Sequence, residues 1–142
     1  MLKPLLLLFA GILLALTPAA QCAPAQDSAQ KTIPVDASMK NPIKPTADSQ
    51  TKAKNLYSID CAMCHGDNGN GQTDIAKSME MTLTDWTDPA TLGSKSDADL
   101  FAIIRNGKDK MPPEDASRLN DAGVWNLIIY IRSFSKGHAA AK

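Results

Sequence analysis

Cys61-Ala62-Met63-Cys64-His65 is the stretch that decides the fold. Two cysteines three residues apart, with a histidine directly after the second, have the spacing of covalent haem attachment. On one helical turn, positions i, i+3 and i+4 share a face, so both sulfurs and the imidazole meet a single flat ligand. Read this way, Cys61 and Cys64 form thioethers with the haem vinyl groups and His65 is the proximal iron ligand. Three other chemistries compete for the same residues. A thioredoxin-like pair expects a strand before the CxxC and has no need of the histidine, whereas a helical stretch from Lys52 to Ile59 precedes Cys61. Structural zinc needs four ligands, and beyond the motif the chain offers only Cys22 and His138. A plain disulfide accounts for neither His65 nor the glycine-rich residues after it.

Those residues are Gly66-Asp67-Asn68-Gly69-Asn70-Gly71. Glycine, Asn and Asp accept positive φ, so this is a tight turn that takes the chain away from the haem edge. A phosphate loop would need a strand before it and Gly-Lys-Ser/Thr after it, and has neither. Ile75 to Met81 reads as a short helix, and Thr82 to Leu92 as an irregular connection. Within that connection Trp86 either lines the haem pocket, or donates its ring N–H to a propionate, or packs in an ordinary core. Ser96-Asp97-Ala98-Asp99 resembles a capping box, with Asp in place of the usual Glu. The helix it opens carries Leu100, Phe101, Ile103 and Ile104 and stops at Gly107. A last helix, capped by Asn120 or Asp121, runs to about Ser135. Its stripe is Val124, Leu127, Ile128, Ile131 and Phe134, with Trp125 and Tyr130 on the flanks.

The sixth iron position decides between electron transfer and substrate chemistry. Of the six methionines, Met1 is in the leader, Met39 precedes the domain, and Met63 sits inside the attachment turn. Met79 and Met81 lie close behind the motif and suit packing around the ring. Met111 stands out within Gly107-Lys108-Asp109-Lys110-Met111-Pro112-Pro113. Two prolines after it and a helix-ending glycine before it hold its thioether at a fixed place. His138, next to Gly137 in a terminal tail, is the competing ligand. With His65 and Met111 bound, the iron is closed to substrates and a soft sulfur favours the ferrous state.

The 142 residues suffice for one domain with appendages. Residues 1–25 read as a secretory signal peptide, with Lys3 ahead of the apolar run Leu5 to Leu16 and Ala23-Pro24-Ala25 as one cleavage pattern. That run is short for a bilayer span of about 20 residues, although an uncleaved anchor is the alternative. Cys22 is a poor lipidation site, because Ala19 and Gln21 stand where such sites carry Leu and a small residue. Membrane attachment is expected only if Cys22 is lipidated or the leader is retained. Residues 26–48 are expected to form a flexible linker, residues 49–136 the folded domain, and residues 137–142 a polar tail. Net charge is zero, which offers nothing to nucleic acid. Residues 51 to 136 carry ten basic and twelve acidic side chains. Arg105, Lys108 and Lys110 cluster beside Met111, but Asp109, Glu114 and Asp115 are mixed in, so a solvated surface is expected rather than a steering patch.

The helix before CAMCH, the CHGDNGNG turn, the GKDKMPP loop and the final VWNLIIYIRSF together resemble the class I cytochromes c in their small bacterial form. The resemblance covers about residues 50 to 136. It implies an all-α fold of about three to five helices around one covalently bound haem c, with first and last helices crossing. By the same resemblance Tyr57 packs near Leu127 and Tyr130. Class II cytochromes, by contrast, carry the motif near the C-terminus. The function implied is a one-electron carrier of the periplasm. Its partners are redox proteins and, during maturation, the haem-attachment machinery. The alternatives are a cytochrome subunit of a periplasmic dehydrogenase or oxidase, and a haem enzyme with an open sixth site.

Overall fold

The computed structural model describes residues 33–139, with side chains to Lys136. Its elements are α1 (Ala47–Asp60), α2 (Ala62–His65), α3 (Asp74–Ser78), α4 (Pro89–Gly93), α5 (Asp97–Asn106) and α6 (Asp121–Ala139). The fold is all-α. Six helices rather than three to five appear because the attachment turn counts as one and because Pro89–Gly93 is helical where an irregular connection is expected. The signal for α4 is local: Asp88 accepts from the Ala90 amide, and proline occupies the first turn, where its missing N–H costs nothing.

The leader, Cys22 and the first residues of the expected linker lie outside the described residues, as does the His138 side chain. Residues 33–46, within the expected linker, are laid against the domain. The Asn106 side-chain amide accepts from the Ile33 N–H (2.7 Å) and donates to the Ile33 carbonyl (3.0 Å), pairing with the backbone as a neighbouring strand would. Asn41 donates to the Trp125 carbonyl at 3.0 Å. Val35, Met39 and Ile43 pack on the core. Prolines at 34, 42 and 45 keep the segment out of a helix, and the Met39 N–H donates to the Asp36 carbonyl at 3.0 Å to close one turn within it. Helix α1 then begins at Ala47, just ahead of the expected start of the folded domain at residue 49. Thr46 is its cap, and Ser49 is the reciprocal member of a capping box.

Helix α6 is the spine, crossed by α1 and packed upon by α4 and α5. Val124, Leu127, Ile128 and Ile131 are buried as the stripe predicts, but Trp125 is buried too, at 3 % exposure. Its ring stacks on Phe101 at 4.3 Å, because α5 and residues 33–46 cover a flank expected to be open. Tyr57 meets Tyr130 edge-on at 5.4 Å, and Leu127 shares their cluster. Arg132 ties α6 to two other elements, donating to Asp97 (2.6 Å) and to the carbonyls of Leu92 and Lys95. The Ser96–Asp99 capping box forms as the sequence predicts.

Arg105 differs from expectation. It is 3 % exposed, not part of a surface cluster, and donates to Asp121 at 2.7 Å and to the Glu114 carbonyl at 3.3 Å. Being in the last turn of α5, it reaches the first turn of α6 and fastens both ends of the intervening loop. Replacing Asn41 by alanine is expected to cost about 1 kcal/mol through the lost bond to Trp125. A urea melt should show a lower midpoint at unchanged slope.

Candidate haem site

The attachment turn is built by its neighbours. The Tyr57 hydroxyl donates to the Gly66 carbonyl at 2.6 Å, and the Gly71 amide donates to the His65 carbonyl at 2.8 Å. Thr73 caps α3 through its Oγ1, which accepts from Ala76, and donates back to the Cys64 carbonyl at 3.0 Å. The turn after His65 runs close beneath Phe134. Gly69 has φ of 79°, and a Cβ there would lie 2.7 Å from that ring.

Cys61, Cys64, His65 and Met111 all line one cavity of about 590 Å³, a size typical of cofactor clefts. The far wall is Leu100, Ile103 and Ile104 of α5 with Leu127 and Ile131 of α6. Met79 and Met81 also line it, as does Trp86, whereas Met63 is 58 % exposed and points elsewhere. Trp86 lines the cavity, packs against the core and stacks on the His65 imidazole, centroids 4.1 Å apart and planes 16° apart. Cys61 and Cys64 are free thiols. Among the described residues no group of three or more His, Cys, Asp or Glu side chains is placed to hold a metal ion.

The electrostatics suit a neutral cofactor edge. Burial, reinforced by Asp60 and Glu114, pushes the Cys61 thiol up to about 12, so its sulfur is uncharged. Burial also lowers the His65 pKa, which leaves the imidazole neutral and able to ligate. His65 Nδ1 is buried and has no hydrogen-bond partner among the described residues. At the rim, Arg118 joins Asp60 at 2.9 Å and also pairs with Glu114.

The Met111 loop is held on every side. Lys108 and Met111 exchange backbone hydrogen bonds of 3.0 and 2.8 Å, and Glu114 N–H donates to the Ile104 carbonyl at 2.8 Å. Asp109 takes the left-handed φ of 53° that this tight turn requires. Lys110 reaches across to the Met79 carbonyl. These residues fit a haem bound through Cys61 and Cys64: a cleft of the right size, apolar walls, two unpaired thiols, and a half-buried imidazole whose Nδ1 has no competing partner among the described residues. The sequence missed the Asp60–Arg118 pair and the Trp86 stack on His65, whose partners are far apart in the chain.

Residues 48–131 match the family model described as cytochrome c oxidase, cbb3-type, subunit III. The chain belongs to this family. It is a small c-type cytochrome, an electron-transfer domain, and haem c is the cofactor of such domains. It is 31 % identical over 91 residues to the cbb3-type cytochrome c oxidase subunit CcoP of Azospirillum brasilense, covering 64 % of this chain and 30 % of that one. It is 27 % identical over 86 residues to the cbb3-type subunit FixP of Azorhizobium caulinodans, covering 61 % and 27 %. The chain thus spans less than a third of these curated relatives. The fold is similar to a chain of the reducing HAO-like protein complex of Kuenenia stuttgartiensis, with TM-score 0.55 and 26 % identity over 72 % of this chain and 50 % of that one. Among the described residues no helix is long and apolar enough to cross a membrane.

Gly107 has φ of 73°, and a Cβ there would fall 2.5 Å from the Met111 carbonyl oxygen. Gly107→Ala is therefore expected to destabilise the domain by at least about 1–2 kcal/mol and to shift the Met111 loop. Thermal melting reads the first effect, and the visible spectrum of the haem-loaded protein reads the second.

Proposed function

We propose that the chain is an exported mono-haem c-type cytochrome that carries one electron at a time, with His65 and Met111 as axial iron ligands. Cys61 and Cys64 are the points of covalent attachment. The observation that carries this reading is convergence: two separated stretches, the turn after α1 and the proline-pinned loop after α5, bring Cys61, Cys64, His65 and Met111 to one cavity. When bound, the haem supplies a one-electron Fe(III)/Fe(II) couple.

The chain's own contribution is positional. Thr73, Tyr57 and Gly71 fix the backbone that carries Cys64 and His65, and the Lys108–Met111 turn fixes the thioether. Burial lowers the His65 pKa and so favours the neutral imidazole that ligation would need, and the Met111 thioether carries no proton. Met79 is 44 % exposed at the end of α3 and lacks the proline-pinned loop of Met111. One CxxCH in the sequence supports one haem. The leader-like residues 1–25 support export, to the periplasm in a bacterium, where thioether attachment takes place.

A second reading, favoured by the likeness to CcoP, FixP and the Kuenenia complex, makes the chain a lasting subunit of an oxidase or other redox complex. The iron chemistry is then the same, and co-purification with larger partners tells the two apart. An open-site haem enzyme fits less well. Arg118, the arginine on the cavity wall, is engaged by Asp60 and Glu114 and is not a spare distal group.

Met111→Ala should abolish the weak near-infrared band of methionine sulfur on ferric haem, lower the reduction potential, and admit carbon monoxide to the reduced protein. Met79→Ala and Met81→Ala should keep that band. Retention of the parent's band and potential in Met111→Ala would remove Met111 from the iron. The doubly substituted Cys61→Ala/Cys64→Ala chain should be largely unfolded by far-ultraviolet circular dichroism, because a domain this small depends on its covalent staple. A cooperative urea transition in that chain would count against the dependence.

A further inference from the structure

A metal-bound histidine almost always donates its second ring N–H to a carboxylate, a carbonyl or water, which fixes the ring plane and makes the imidazole a stronger donor. His65 departs from that pattern. Its Nδ1 is buried, and no described residue accepts from it. Something else must hold the ring, and the contact the structure offers is the indole of Trp86. It lies nearly parallel to the imidazole, 4.1 Å away and tilted by 16°.

Trp86 is itself anchored. Its backbone N–H donates to the Gly69 carbonyl at 2.8 Å, inside the turn that leaves the attachment motif. Its ring packs 6.4 Å from that of Tyr57, whose hydroxyl holds the Gly66 carbonyl. The indole and the imidazole are therefore referenced to the same few residues.

We propose that Trp86 is the positioning residue of His65: its indole face sets the imidazole plane and keeps water from Nδ1, leaving that N–H undonated. The inference rests on His65 being an iron ligand. A ring whose N–H is not donated is a weaker donor to iron than a hydrogen-bonded one, which favours the ferrous state and raises the potential. Stacking orients the ring about its axis without adding electron density to it. Trp86 thus does the orienting work of the usual acceptor and omits its electronic effect.

The test uses the haem-loaded protein with Trp86→Phe, which keeps a flat ring, and Trp86→Ala, which removes it and admits water to Nδ1. The alanine variant is expected to shift the Fe(III)/Fe(II) equilibrium toward ferric by roughly tenfold, about 59 mV at one electron. Its ferric electron-paramagnetic signal should broaden as the imidazole samples several planes. The phenylalanine variant should stay within about twofold of the parent, against that tenfold scale. An alanine variant that melts lower but keeps the parent's potential and signal reduces Trp86 to packing and overturns the proposal. So does a phenylalanine variant that shifts as far as the alanine one. Should the alanine chain fail to mature, Trp86→Leu is read by the same criteria. Nitrogen hyperfine couplings in the parent's ferric signal check His65 ligation separately. If they are missing, the ligand reading falls and the proposal with it; if they are present while the potentials stand still, only the proposal falls.

Discussion

The hydroxyl of Tyr57, bonded to the Gly66 carbonyl at 2.6 Å, is the interaction on which the rest of the domain depends. Tyr57 is 1 % exposed and lies where α1 crosses α6, with its ring among Trp86, Tyr130 and Phe134. A buried phenol needs a partner, and the partner here is the first backbone oxygen beyond the attachment motif. Helix crossing and haem turn are therefore in register through one side chain. Burial raises the Tyr57 pKa, so the proton stays on the oxygen and the bond keeps its direction.

The opposite wall is governed by a different device. Between α5 and α6 the chain has no regular structure around Met111, and an irregular loop of that kind is ordinarily mobile. Here its ends are closed by Arg105, which bonds the Glu114 carbonyl and the Asp121 carboxylate from a buried position. Its middle is closed by the reciprocal Lys108–Met111 bonds, and its exit is stiffened by Pro112 and Pro113. Arg105 is buried while Asp121 stays largely in water, so only one charge bears the desolvation cost. The outcome is a methionine side chain on a rigid support.

The parts of this design written in contiguous residues were legible in the sequence. The Cys61–His65 spacing, the Ser96–Asp99 box, the stop at Gly107 and the α6 stripe each depend on residues within a few positions of one another. What was not legible depends on pairs far apart in the chain. Asn106 recognises the backbone of Ile33, and Asn41 finds Trp125, through side-chain amides that any surface asparagine could present elsewhere. Residues 33–46 therefore read as linker, since their apolar residues are separated by prolines and follow neither a helical nor an alternating period. Arg105 read as a surface charge for the same reason: nothing local says that Asp121 will stand beside it. The cap and proline of α4 were present as Asp88-Pro89 and are a recognisable helix start, so that element was within reach.

The cavity itself sets the balance of the fold. Leu100, Ile104, Leu127 and Ile131 belong to the hydrophobic core and also face the space of about 590 Å³. Those side chains face open space rather than protein, so a flat apolar group bound there would bury them and add its own area to the core.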